Sequence, residues 1–217
     1  FILQMNESFI RTMTPSDLSS VVKIHKKAFK GFFLEQMGKE FLKAYYFQVL
    51  KFPKSIALVS HNQNEKIDGF VVGFKNPDSF YSELKKNFLS FLIPLLKGLV
   101  KKPHLFLKII FNSIKIIKSD KSFSKNSVEL SSIAVENSKK GTGRILLQEF
   151  IARSWQVNAS NIILTTDEKN NEGAINFYEN HSFKKIGLEK RKDRTMIIYT
   201  LNNPKKNINN GLENSTF

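Results

Sequence analysis

Between Ser127 and His181 the chain changes character in a fixed order. An apolar β-type run, SVELSSIAV, ends at Val135, and a short basic turn with two glycines follows. Next comes an amphipathic run, GRILLQEFIARSWQ, with Ile145, Leu146, Phe150 and Ile151 facing in. A second β-type run, NIILTT, leads through a polar turn to a short helical run, NEGAINFYENH. Such alternation restricts this part of the chain to a sheet covered by helices. The first half is built differently. SFIRTM predicts a strand, and a helix capped by Thr14 or Ser16 follows and ends near Phe29. A second helix is predicted from about Lys39 to Leu50, where Pro53 closes it. SIALVSH and KIDGFVVGFK, joined by the polar NQNE, predict a β-hairpin. SFKKIGLEKRKDRTMIIYTLN closes the domain as two strands around a basic turn. The sum is a mixed α/β sheet with helices on both faces.

With 217 residues the chain suffices for one well-buried domain, expected over 5–201, with a polar, disordered tail over 202–217. Cysteine is absent, which excludes a disulfide framework, a thiolate metal site and a cysteine nucleophile, and fits a cytoplasmic setting. The first residues lack the apolar run and small-residue cleavage site of a signal peptide. No apolar stretch reaches the roughly 18 residues that a membrane span needs. A net charge of +15 suits nucleic acid, an anionic membrane surface or an anionic small ligand. Zinc-finger spacing and an aromatic RNP pattern are both missing, so no nucleic-acid partner is expected.

Residues 76–126 differ in kind and read as an inserted pair of helices. Between Phe80 and Ser119 there are eight lysines and one glutamate, interrupted by Pro94, Gly98 and Pro103. Lys108, Asn112 and Lys115 share one helical face, with Phe106, Ile109, Ile110 and Ile117 largely opposite. This block either caps the core, covers an acceptor site as a lid, or brings 80–118 into peripheral contact with a membrane.

The turn in AVENSKKGTGR is either an ordinary connection or an anion cradle. A helix N-terminus presents backbone N–H groups and partial positive charge, and glycines allow close approach. Neither a P-loop nor a dinucleotide fingerprint is present. The second motif adds to the first: Asn171, Ala174 and Tyr178 fall at i, i+3 and i+7 on one helix face, directly after a strand.

Taken together, IAV, GTG, RILL and NEGAINFYENHSF resemble the acetyl-CoA-binding half of the GNAT N-acetyltransferase superfamily over Val128 to Leu201. Ser182 stands where the family has glycine, and the loop after Val135 is two residues short. The register that puts Gly141 and Gly143 on the family glycines is preferred, because the alternative buries Gln148 and Glu149. The resemblance implies a GNAT-like mixed, mostly antiparallel sheet flanked by helices, with a helical insertion between the third and fourth strands. It implies acetyl-CoA as cosubstrate, with its pantetheine arm along the strand holding Ile133 and Val135. The pyrophosphate would rest on Lys140, Gly141, Thr142, Gly143 and Arg144, and Asn171 would bond to the cofactor or orient its helix. Tyr178 would return a proton to the leaving thiolate. Glu129 matches the catalytic glutamate of the histone-modifying branch, with Asp167, Glu168 and His61 as weaker bases. His25, His104 and His181 show no metal-ligand spacing, so no metal is expected. The leading acceptor is a small-molecule amine, in particular a nucleotide-linked amino sugar. The alternatives are a protein amine, on lysine or an N-terminus, and an acyl-CoA-binding module without turnover. A homodimer is a further expectation.

Overall fold

Seven strands form one sheet in the computed structural model, which describes residues 9–36, 38–86, 126–136, 141–191 and 194–206. They are β1 (Phe9–Thr12), β2 (Ser55–His61), β3 (Ile67–Lys75), β4 (Ser127–Val135), β5 (Asn161–Asp167), β6 (Lys184–Arg191) and β7 (Arg194–Asn202). Their order is β1-β2-β3-β4-β5-β7-β6, and only β4 and β5 pair in parallel. The expected mixed, mostly antiparallel sheet is therefore present.

The described helices are α1 (Leu18–Ala28), α2 (Phe33–Gln36), α3 (Lys39–Lys51), α4 (Pro77–Lys86), α5 (Thr142–Gln156) and α6 (Glu172–Glu179). A 3-10 turn, Pro15–Asp17, starts α1. The Thr14 amide donates to Asp17 Oδ2 at 2.8 Å, and Arg11 grips the same carboxylate at 2.7 and 2.8 Å. This ties β1 to the first helix. Between α1 and α3, the stretch GFFLEQMG contains the single turn α2. Helix α4 confirms helical structure between β3 and β4, while the rest of the block, 87–125, lies outside the described residues. The expected tail boundary moves: β7 includes Asn202, Asn203 is buried and donates to Ala159 O at 2.9 Å, and Lys206 reaches Asn158 O at 3.0 Å. Residues 207–217 are not described.

Both faces of the sheet are covered. Phe70, Val72 and Phe74 of β3 pack with α1, α3 and Phe80 of α4, whereas Val71 joins Leu146, Leu147 and Phe150 of α5. Burial on both sides explains why GFVVGF is continuously apolar rather than alternating.

Strand β4 carries a bulge. Val72 pairs with Ser132 and Gly73 with Leu130, so Ser131 is the extra residue. One extra residue reverses the side-chain parity. Val128 and Leu130 pack on the α5 side, but past the bulge it is Ile133 and Val135 that do so, and Ala134 turns to the α1 side. Gly73 permits this crowding, since a Cβ there would strike the Glu129 carbonyl and the Phe150 ring.

Candidate active site

The parallel contact between β4 and β5 is short. Ser127, Val128 and Glu129 pair with Asn161, Ile162 and Ile163, and the strands then part. Past that point β4 continues to Val135 against β3, and β5 continues to Asp167 against β7. The Glu136 amide bonds to Asp68 O of the β3 side at 2.7 Å. Alternation along the strand then turns the peptide groups of Ile133 and Val135 away from β3 and toward the opening. Those are the two positions expected to meet an extended arm.

At the wide end of the opening stands the start of α5. Gly141 caps it in the left-handed region, φ 74°, with open space around the position of a Cβ. Thr142 is buried as the first helical residue, and Arg144 is exposed. A Cβ on Gly143 would sit 3.8 Å from Val135 Cγ1, so the helix starts directly beside the end of β4. Lys140, with Asn137 to Lys139, lies outside the described residues.

Tyr178 is buried among Phe177, Phe183 and Tyr199. Tyr199 pairs in register with Leu164, the first β5 residue past the paired segment. Burial pushes the Tyr178 phenol well above its ordinary value, so it is protonated at neutral pH. Asn171 is the N-cap of α6 and donates to Thr166 Oγ1 at 2.6 Å and Asp167 O at 3.2 Å. It thereby fixes the turn between β5 and the helix carrying Tyr178.

Glu129 is the last β4 residue in the paired segment, and its side chain faces the α1 and α3 side. Tyr81 of α4 donates to its Oε1 at 3.0 Å. Nearby, Tyr45 of α3 meets Ser131, the bulge residue, at 3.2 Å. Among the weaker candidates, Asp167 closes β5 and binds Arg194 at 3.2 Å, and that guanidinium lies over Phe32, 4.7 Å from its centroid. The Glu168 amide bonds to Thr195 O at 3.0 Å. His61 is stacked on Phe9 at the opposite end of the β2–β3 pair from Glu129 and is not brought to the opening.

A scan against protein families matches residues 18–183 to the model described as "Acetyltransferase (GNAT) family". The chain belongs to the GNAT acetyltransferase family. Its fold is shared by Ard1 from Thermoplasma volcanium, with 16% identity and TM-score 0.57 over 90% of this chain and 97% of that one. The ribosomal-protein-S18-alanine N-acetyltransferase from Escherichia coli matches at 15% identity and TM-score 0.56, covering 90% and 94%. yncA from Salmonella typhimurium, solved with its cofactor acetyl-CoA, matches at 15% and 0.56, covering 91% and 94%. At these identities the likeness concerns the fold alone. No curated protein sequence matches the chain.

As a GNAT protein this chain is an N-acetyltransferase with acetyl-CoA as cosubstrate. The opening fits such a ligand: it offers strand-edge peptide groups at Ile133 and Val135 and a glycine-capped helix start at Gly141. Two residues beside Glu129, Tyr81 and Tyr45, were not singled out from sequence. They lie 48 and 84 positions away from Glu129 and share no motif with it, so no local signal pointed to them.

Proposed function

We propose that this GNAT enzyme acetylates an amine of a protein or peptide, a lysine or an N-terminus, by direct attack on the thioester. One observation carries the mechanism: Glu129 and Tyr178 flank the point where β4 and β5 part, from opposite faces of the sheet. Acetyl-CoA supplies an acyl group activated as a thioester. Glu129 accepts the proton of the attacking amine as the N–C bond forms, and Tyr178 gives its phenolic proton to the sulfur as the C–S bond breaks. The backbone of Ile133 and Val135 would align the pantetheine, and Lys140, Gly141, Thr142, Gly143 and Arg144 would hold the pyrophosphate. The protein-amine reading draws support from the shared fold of the S18-alanine enzyme.

A second reading, a nucleotide-linked amino sugar or similar anionic amine, is favoured by Arg191 and Arg194. They face each other in register at the β6–β7 turn, and Arg194 stacks on Phe32 of the α1–α2 segment. Thiol release measured on peptide N-termini, lysine peptides and amino-sugar nucleotides separates the two. Fastest turnover of peptides supports the first reading, and fastest turnover of sugars the second. Calorimetric binding of CoA without turnover of any amine would overturn both. A cytoplasmic location, a homodimer and lipid contact through 80–118 accompany this proposal. Among the described residues no helix is long and apolar enough to cross a membrane. Flotation with anionic liposomes tests the lipid contact, and light scattering tests the dimer.

A further inference from the structure

We infer that Tyr81, on the first helix of the block between β3 and β4, is a positioning residue that sets the orientation and basicity of Glu129. The inference rests on the reading of Glu129 as the acceptor of the amine proton. The Tyr81 hydroxyl donates to Glu129 Oε1 at 3.0 Å. Its place is set by packing, since the ring stands edge-on to Phe74 at 5.7 Å and to Phe80 at 5.4 Å. Phe80 in turn is stacked on Phe74 at 4.0 Å and fully buried. The donor is thus anchored in the core of the α1 side, while the carboxylate it holds belongs to the strand at the opening.

Among the described residues, three charged or titratable groups act on the Tyr81 phenol: Glu129 from β4, Tyr45 from α3 and Arg191 from β6. Burial first, and then the Glu129 charge, push that phenol well above its ordinary value. Tyr81 therefore stays a donor wherever the enzyme works. A donor to a carboxylate favours the charged form, so the Tyr81 hydroxyl assists the form of Glu129 that can accept a proton. An oxygen that accepts one bond retains a second lone pair, so the anchored carboxylate keeps capacity for the amine. The consequence concerns helix α4: it completes the acceptor side of the reaction as well as covering the sheet.

Tyr81→Phe removes only the hydroxyl and keeps the ring contacts. The first measurement is a 13C-carboxyl NMR titration of the full chain labelled at glutamate, with the Glu129 signal assigned by its loss in Glu129→Gln. The midpoint should rise by about one pH unit in Tyr81→Phe. The second is thiol release with trialanine and with glucosamine 1-phosphate. On whichever turns over, kcat should fall about tenfold and its acid limb should move to higher pH. The KM for acetyl-CoA should hold within about twofold, because the cofactor side is untouched. Tyr81→Phe added to Glu129→Gln should cost nothing further. An unchanged Glu129 midpoint, or a full additional loss in the double variant, overturns the inference. Glu129→Gln with wild-type turnover overturns the base reading itself and the role of Tyr81 with it. An inactive Glu129→Gln beside an unaffected Tyr81→Phe overturns only the present inference.

Discussion

Burial keeps the proton on Tyr178 throughout the neutral range, and among the described residues its hydroxyl makes no hydrogen bond that would hold it away from a ligand. Tyr178→Phe should lower kcat by about 100-fold and leave CoA affinity nearly intact, as kinetics and calorimetry on the same preparation would reveal. A large affinity loss with unchanged kcat would instead make it a binding residue. The two glycines of the turn should behave differently. Gly141→Ala meets open space but forces a Cβ into the left-handed region, costing about 1–2 kcal/mol in urea unfolding. Gly143→Ala meets only ordinary contacts at 3.8 and 3.9 Å and should be tolerated or slightly stabilising. The shared helix of Asn171 and Tyr178 was legible because their spacing is local, seven positions apart, whereas the roles expected of them came from the resemblance to the family. Tyr81 was not legible, because its meeting with Glu129 depends on how α4 packs onto β3, a contact that periodicity does not encode.

At the scale of elements, the strands and the helices α1, α3, α5 and α6 followed their apolar patterns to within a residue or two, whereas the single turn α2 was not marked by one. The β4 bulge did not emerge from those patterns. Its trace in the sequence is the pair Ser131–Ser132, which breaks the alternation of SVELSSIAV, but two adjacent serines do not say which is the extra residue. The partner strand answers this with Gly73. Gly73→Ala should destabilise the fold by about 1–3 kcal/mol through overpacking, read from the urea midpoint. It should also raise the KM for acetyl-CoA, because the Glu129 carbonyl and Phe150 must both shift and the edge carrying Ile133 shifts with them. A change in stability without any change in KM would separate the bulge from cofactor alignment.

At the scale of the molecule, stability should depend on pH through a titratable group buried in the α1-side core. The α1 side encloses His25, whose Nδ1 meets the Tyr46 hydroxyl at 2.6 Å and whose Nε2 is buried without a hydrogen-bond partner among the described residues. Burial lowers its pKa from the ordinary 6.5 to about 4. The unfolded chain therefore takes up a proton near pH 6.5 that the folded chain refuses until about pH 4. Stability is complete above that window and declines as pH falls through it, by about 1.4 kcal/mol per unit at most. His25→Gln should flatten this slope in unfolding measured from pH 7 down to pH 4. If the variant kept the wild-type slope, the acid sensitivity would belong to other groups.

The block between β3 and β4 leaves and re-enters the sheet at one place. Lys75 pairs with Val128, and the Asn76 amide bonds to Ser127 O at 3.0 Å. Its two ends therefore meet at the mouth of a hairpin, and a tight turn of a few residues could join them without moving either strand. Such an arrangement is a socket, into which a different accessory piece could be joined while the β4–β5 seam stays as it is. The exchange has one condition set by Phe80 and Tyr81. Any replacement must fill the place of the Phe80 ring on the α1 side and, on the role inferred for Tyr81, present a hydroxyl to Glu129.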